Sequence, residues 1–443
     1  MKKIKLLICK ISGYILKLFG RGSNFPGELL LKLDKNYSKY FKMPKLVIAV
    51  TGSAGKGSTT TMIADALRSD GLLVAHNKFG SNMLPGILSL LINNSDLSGN
   101  IKADALVLEV DERYTKKVFD MTKPGYVVVT NILRDQPPRH GNYDMVFDKI
   151  KEALNKNMKL ILNADDPYLQ KFNLKNEYDV TYYGISKSKY SYKTNKFDNI
   201  NICYCPKCNT KLKYNYYNIE AVGDYICPRC NFKTPSKDVL ASKIDLDNSY
   251  MIVNNNKVVI AFNVLYYAYN ILASYAVLKL IGISEDKIAR YISSIPNNEK
   301  LNSTLRYKDR YVYIMNNKNE NSTTFNESVL FTSNKKVPKT IVIGWKEISR
   351  RYEFNDLSWL YDIKFELLND EYTDKVICVG RDKYQIAERL KYAGFNKNQI
   401  KIYDTLNDAE DMIKNKSKGD IFAILNFDYV IPFNELMEGK HDD

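Results

Sequence analysis

Cysteine is scarce in this chain: there are seven among 443 residues, and four of them fall into two tight pairs instead of scattering. That distribution excludes a disulfide framework and points to a reducing compartment. Long apolar runs are absent as well. The N-terminal stretch from Ile4 to Phe19, IKLLICKISGYILKLF, is shorter than a membrane span and is broken by Lys5, Lys10 and Lys17. No small-residue cleavage site precedes the basic segment at Arg21, which excludes a signal peptide. No internal repeat is visible. Glycine and proline counts of 21 and 13 are ordinary, and with 45% hydrophobic residues they exclude a fibrous or disordered chain.

The chain is too long for a single hydrophobic core, so two large domains plus a small appended module are expected. Its 65 basic and 50 acidic side chains leave a formal charge of +15. Nucleotides, pyrophosphate head groups, nucleic acid and acidic membrane surfaces all suit that charge, which does not choose among them. Part of the basic signal belongs to a general richness in Asn, Lys, Tyr and Ile of the kind an AT-rich genome produces. In residues 4–19 the lysines and the apolar residues segregate into an amphipathic helix. Residues 1–44 are expected to pack on the domain that follows, and the helix is a candidate for contact with the inner face of the cell membrane.

From Lys45 the sequence reads strand, glycine loop, helix: KLVIAVT, GSAGKGS, then TTTMIADALRSDG with Gly71 as the stop. Further short runs, ALVLEV, YVVVTN and KLILNA, are apolar on both faces and alternate with helical stretches such as YDMVFDKIKEALN. This pattern predicts an α/β fold, a parallel sheet covered by helices on both sides. Composition shifts abruptly to Lys, Tyr, Asn and Cys between about residues 185 and 240, marking an inserted module at about 200–236. VLYYAYNILASYAVLKLIG restores helical periodicity, and IPNNEKLNST reads as a linker. Beyond it YVYIMN, TIVIGW, KVICVG and IFAILNF alternate with QIAERLKYAG and TLNDAEDMIKN, predicting a second, smaller Rossmann-like α/β domain. The expected domains are thus 45–300 and 301–443.

Thr51-Gly-Ser-Ala-Gly-Lys-Gly-Ser-Thr59 stands where a strand meets a helix, so backbone N–H groups and the helix N-terminus face one anion. Ser53, Gly55, Lys56, Gly57, Ser58 and Thr59 are the candidate phosphate contacts. Lys56 supplies a mobile positive charge, and a hydroxyl at Ser58 or Thr59 suits Mg²⁺. The spacing is GxxGK, shorter than the GxxxxGK of most phosphate loops.

Cys205-Pro-Lys-Cys208 and Cys227-Pro-Arg-Cys230 are two knuckles with 18 residues between them, the pattern of a structural Cys₄ zinc site. Four thiolates saturate Zn²⁺, so its role is stability, in a polar, Tyr-rich stretch with little core of its own. Cys203 is a spare whose spacing to Cys205 is wrong for a knuckle.

The compact phosphate loop resembles those of Mur ligases and folylpolyglutamate synthases. Further segments follow in that family's order: LEVDE at 108–112, TNILRDQ at 130–136, LNADDP at 162–167 and YN at 269–270. The resemblance implies a Mur ligase central domain that uses ATP and Mg²⁺. Glu109 is the implied metal carboxylate, with Asp111 and Glu112 as neighbours, and Asn131, Asn163 and Asp165 are implied nucleotide contacts. For Asn163 and Asp165 a simple turn preference is the alternative. Gln136 stands where many Mur ligases carry histidine.

A zinc ribbon inserted in the central domain, with GRGSNFPGELLLKLDKN at 20–36, NMLPGI at 82–87, GDYICPRCNF at 223–232 and RLKYAG at 389–394, is similar to the MurT branch of the family. That branch implies a cytoplasmic lipid II isoglutaminyl synthase working with a GatD-type glutaminase subunit as a heterodimer. ATP would activate the D-glutamyl α-carboxylate of lipid II as an acyl phosphate for attack by ammonia. Asp356 in Asp356-Leu-Ser-Trp359 resembles the aspartate that completes the partner's Cys-His pair, and a helix cap is its alternative role. The chain departs from that pattern at NENSTTFNE, 319–327, where MurT proteins have a KNPAGFN-like segment. It departs again at WKEISRRYEFND before Ser358. Three other readings stay open here: a divergent paralogue amidating, or ligating to, a different acidic group; a stand-alone amino acid ligase; and a zinc-ribbon nucleic-acid binder, although the basic residues are dispersed and no RNA-reading aromatic signature appears.

Overall fold

A computed structural model of the protein describes residues 2–18, 24–77, 81–133, 143–197, 203–261, 264–295, 303–317, 321–346 and 356–439. Its contacts divide into two units. One comprises Met1–Ile132, Tyr143–Thr194 and Ile202–Ile295; the other comprises Leu133–Asn142, Asn195–Asn201 and Pro296–Asp443. The division at Pro296 falls inside the polar stretch read as a linker.

In the first unit the strands β1 (Leu46–Thr51), β2 (Val74–His76), β3 (Ala105–Glu109), β4 (Tyr126–Val129), β5 (Lys159–Asn163) and β6 (Asp179–Ile185) are parallel. A separate hairpin of β7 (Lys213–Ile219) and β8 (Val222–Ile226) follows. The main sheet then gains β9 (Val239–Asp245), parallel to β6, and the antiparallel edge strands β10 (Tyr250–Val253) and β11 (Asn256–Val259). Its order is β11-β10-β9-β6-β5-β4-β1-β3-β2. The helices are α1 (Lys2–Leu18), α2 (Phe25–Leu33), α3 (Lys56–Ser69), α4 (Leu84–Asn93), α5 (Thr115–Thr122), α6 (Tyr143–Ala153), α7 (Leu265–Leu280) and α8 (Glu285–Ser293).

Side chains alternate across a strand, so each central strand feeds two cores. Ile48 and Val50 of β1, Val107 of β3 and Val128 of β4 join Met62, Ile63 and Leu67 of α3 and the apolar body of α7. Val47, Ala49, Leu106, Leu108, Val127 and Val129 point the other way, against Leu88 of α4, Phe119 of α5 and Ile150 of α6. Leu6 and Cys9 of α1 and Leu30 of α2 belong to this second core, so the N-terminal helices pack on the first unit. Each buried Val, Leu or Ile contributes roughly 1.5–3 kcal/mol. Nearly all of α7 is buried, as an apolar-all-round helix must be.

This layering places the site. β1 leads into α3 on one face, whereas its neighbours β3 and β4 are followed by α5 and α6 on the other. The chain therefore parts at the carboxyl end of β1, where α/β sheets open a crevice.

The second unit has a sheet ordered β12 (Ser303–Tyr307), β13 (Arg310–Asn317), β17 (Asp420–Asn426), β14 (Lys339–Trp345), β15 (Thr373–Gly380), β16 (Ile400–Tyr403). All neighbours run parallel except β12 and β13. Ile341, Ile343, Phe422 and Ile424 face α9 (Ser322–Asn334) and α10 (Lys383–Tyr392). Val342, Ala423 and Leu425 face α11 (Leu406–Asp411) and α12 (Phe427–Glu438). TLNDAEDMIKN forms α11 with a Thr405–Asp408 capping box, and then a π turn over Met412–Lys416.

Candidate functional site

The loop between β1 and α3 is built around two close approaches. Gly52 (φ +122°) lies so near β4 that a Cβ there would fall 2.4 Å from Thr130 Oγ1. At Gly55 (φ +79°) a Cβ would fall 2.2 Å from Asn270 Oδ1, a side chain carried by α7. Only glycine meets both the backbone angle and the space. Asn131 grips the loop tip: its Oδ1 accepts from Ala54 N at 2.8 Å and its Nδ2 donates to Ala54 O at 3.1 Å. Ser53 N donates to Asn131 O at 3.0 Å, and Thr130 Oγ1 donates to Ala54 O at 2.7 Å. Asn131 thus positions the loop, with its amide already engaged in doing so.

Lys56 opens α3 and is buried. Its Nζ donates to Glu112 Oε1 at 2.7 Å and to the Gly52 carbonyl. Two buried charges compensate each other here, since a lone buried ammonium would be costly. Of the two hydroxyls expected beside Lys56, Ser58 is exposed, whereas Thr59 is fully buried with its Oγ1 enclosed and unpartnered. Adjacent positions on a helix point about 100° apart, so both could not face the crevice. The Thr59 side chain is thus enclosed by the fold, and the Ser58 hydroxyl is the one open to solvent beside Lys56.

The three acidic residues ending the LEVDE run separate in space. Glu109 faces α3: a side chain at Gly57 would come within 3.2 Å of its Oε2, while its Oε1 accepts from Asn82 Nδ2 at 2.9 Å. Asp111 is held by Arg113, with both carboxylate oxygens 2.8 Å from the guanidinium. Glu112 holds Lys56. A carboxylate and an exposed hydroxyl at one helix N-terminus are hard oxygen donors, which fits Mg²⁺ with waters completing its shell.

Asn163 and Asp165 are buried, and each makes hydrogen bonds within the fold. Asn163 Oδ1 accepts from Asp165 N at 3.0 Å, an Asx turn. Asp165 is fully buried; its Oδ1 lies 2.7 Å from Lys237 Nζ, and its Oδ2 accepts from Ile185 N at 2.8 Å and Tyr269 OH at 2.9 Å. Burial pushes this carboxyl above the usual range and Lys237 opposes that push. Gly223 N, from β8, donates to Asp165 O at 2.8 Å, and Asn218 Nδ2, from β7, donates to Tyr269 OH at 3.0 Å. The turn therefore anchors the inserted hairpin.

Asn270 carried no assigned role in the sequence reading. It is buried against Gly55, and its Nδ2 has no partner among the described residues. The available signal was Asn270 itself, a side-chain amide in the middle of a helix that is buried along nearly all its length.

In the insertion the four sulfurs of Cys205, Cys208, Cys227 and Cys230 lie within 4.8 Å of one another. Cys205 and Cys230 are 3.6 Å apart and Cys208 and Cys227 3.5 Å. A tetrahedral thiolate site with metal–sulfur bonds of about 2.3 Å has edges of about 3.8 Å, so the cluster has the dimensions of one. The knuckles are built alike: Asn209 donates to Cys205 O and Asn231 to Cys227 O, and both asparagines take positive φ, 55° and 56°. Asparagine tolerates that conformation better than most residues. Thr210, 3.4 Å from Cys208 Sγ, lowers that thiol's pKa, favouring the thiolate. Cys203 is not part of the sulfur cluster.

In the second unit Asp356 is partly exposed, and its Oδ1 accepts from Ser358 N at 2.9 Å, ahead of a 3₁₀ turn over Ser358–Asp362. Trp359 is buried against Trp345 and Phe325, with ring centroids 5.2 Å away in both cases. Asn326 latches the same turn, donating to Asp362 O at 2.9 Å and accepting from Lys364 N at 2.8 Å. Within the divergent 319–327 segment, Asn321 caps α9 through Thr324 N. Gln136 and residues 347–355 lie outside the described residues.

Residues 50–221 match the Mur ligase middle domain and residues 319–429 the MurT ligase C-terminal domain. The chain is similar to the lipid II isoglutaminyl synthase (glutamine-hydrolyzing) subunit MurT of Staphylococcus aureus, with 29% identity over 376 residues, 84% of this chain and 83% of that protein. It is also similar to the subunit of the same name from Streptococcus pneumoniae, with 26% identity over 98% of this chain and 96% of that one. A pseudomurein peptide ligase type C from Methanothermus fervidus shares the fold with a TM-score of 0.69 at 22% identity, covering 92% of this chain and 81% of that one. MurF from Acinetobacter baumannii does so at 0.62 and 15%, covering 89% and 76%.

Proposed function

Because this chain belongs to the Mur ligase family, on its MurT branch, we propose that it is the ATP-consuming subunit of a lipid II isoglutaminyl synthase in the cytoplasm. The observation that carries this reading is the seat at the end of β1. Lys56, the amides of a glycine loop pinned by Asn131, the exposed Ser58 and the Glu109 carboxylate converge there on one helix N-terminus.

In this reading the terminal phosphates of ATP bind at the loop, and Lys56 exchanges Glu112 for them. Ser58 and Glu109 would hold Mg²⁺, which when bound would supply positive charge against the transferring phosphoryl group. The α-carboxylate oxygen of the D-glutamyl residue of lipid II attacks the γ-phosphorus and ADP leaves. Ammonia then attacks the acyl carbon of the acyl phosphate, loses a proton, and inorganic phosphate departs. No side chain of this subunit serves as nucleophile; its contribution is position and charge. The four cysteines would hold Zn²⁺, which would stabilise the insertion. Ammonia comes from a glutaminase subunit, whose Cys-His pair Asp356 completes with the carboxylate oxygen not needed for the Ser358 turn.

The test uses the chain purified with its glutaminase and presented with lipid II, ATP and either glutamine or free ammonia. Amidation is expected with both nitrogen sources and none without ATP. Asp356→Asn is expected to abolish the glutamine-driven reaction and spare the ammonia-driven one. Equal loss with both would remove Asp356 from the glutaminase site, and absence of ATP binding by calorimetry would remove the ligase reading itself.

A further inference from the structure

The outward face of α1 is apolar, broad and uncovered. Ile4, Leu7, Ile8, Ile11, Tyr14 and Ile15 recur at three- and four-residue intervals, and each is between 43% and 70% exposed. Leu6 and Cys9, on the opposite side of the same helix, are fully buried in the first unit's core. At about 100° per residue the six exposed side chains span an arc of about 120° and run about 16 Å along the axis. Soluble proteins seldom leave such a patch in water without a use for it.

We propose that this face docks on an anionic lipid bilayer, with α1 lying in the plane of the interface. Two features favour a lipid surface over a protein partner. The arc is wider than the narrow seam by which two helices pair, and suits a flat, deformable apolar medium. Lys3, exposed, and Lys10, half-buried and within the field of Asp96, stand seven residues apart along one border of the arc, and α1 contains no acidic residue, so Lys3 above all complements anionic head groups. Lys5 lies on the other border, already engaged with Asp34 at 2.8 Å. No helix among the described residues is long and apolar enough to cross a membrane. Docking would bring the first unit to the surface where a lipid-linked substrate resides, which deepens the proposed function; α1 carries these features whatever the substrate.

The experiment is vesicle flotation of the full chain without nucleotide or lipid II, so that its outcome is independent of ligase activity. Vesicles of mixed phosphatidylglycerol and phosphatidylcholine are compared with phosphatidylcholine alone. The wild type is expected to float with the anionic vesicles and to be released by high salt. Ile8→Glu with Ile11→Glu, both at solvent-facing positions, is expected to lower the partition coefficient at least tenfold with an unchanged far-UV melting curve. Lys3→Gln, which leaves the apolar face intact, should lower it about fivefold, from roughly 1 kcal/mol per lysine. Failure of the wild type to float, or equal partition of the doubly substituted chain, would overturn the proposal. So would light scattering that shows the glutamates splitting a dimer while vesicle binding stays the same, which would assign the face to a second copy of this chain.

Discussion

Replacing Gly55 by alanine introduces one methyl group into space held by a buried amide. The new Cβ would stand 2.2 Å from Asn270 Oδ1, 3.0 Å from its Cγ and 3.1 Å from its Nδ2. Asn270 sits on the buried helix α7 and cannot swing into solvent, so the helix or the loop must shift. Such overpacking costs about 1–3 kcal/mol. The backbone angle, φ +79°, adds about 1–2 kcal/mol for a residue with a Cβ. Gly55→Ala is therefore expected to destabilise the first unit by roughly 2–5 kcal/mol and to weaken ATP binding at least tenfold. In an Asn270→Ala background the steric part disappears while the backbone part remains, leaving about 1–2 kcal/mol. The double-mutant cycle should thus show a coupling of about 1–3 kcal/mol. Both tryptophans, Trp345 and Trp359, belong to the second unit, so their fluorescence does not report this change. Hydrogen exchange of the α3 and α7 peptides, followed by mass spectrometry, does. If Gly55→Ala costs as much in the Asn270→Ala background as in the wild type, the close approach is not what requires glycine.

Removing a buried partner should be equally visible at the anchor of the hairpin. Asp165→Asn leaves Lys237 without its carboxylate and is expected to cost about 3–5 kcal/mol in denaturant unfolding followed by far-UV circular dichroism; a loss below about 1 kcal/mol would mean the pair is well hydrated. The purified chain should carry one equivalent of zinc by elemental analysis, and Cys227→Ser should lose it and expose the 203–234 peptides to hydrogen exchange. Full zinc content in that variant would contradict the four-thiolate assignment. Burial pushes the Asp166 carboxyl up to about 6, so the folded chain keeps this proton to higher pH than the unfolded one does. The stability associated with that proton is present in acid and lost as pH rises from about 4 to 6, up to about 3 kcal/mol. Asp166→Asn should therefore gain on the wild type across that window, and a pH-independent difference between the two would refute the assignment.

What the sequence determined by itself was local: everything that depends on neighbours along the chain. The runs of β1, β3, β4 and β5 are apolar on both sides because helices cover both faces of the sheet, and that is readable without coordinates. The glycine loop and the two CPxCN knuckles are contiguous, so residue type and spacing already imply their shape. The tertiary structure alone decided which polar side chain points where. Ser58 and Thr59 are adjacent in sequence, yet the helix exposes one and encloses the other. Glu109, Asp111 and Glu112 diverge because one ends a strand beside α3, one turns back to Arg113, and one reaches Lys56. Asn163 and Asp165 turn inward because a hairpin from the insertion packs over them. Asn270 meets Gly55 only because α7 lies against α3. These orientations follow from strand order and helix packing, which bring together groups far apart in the chain, and no local pattern encodes that geometry.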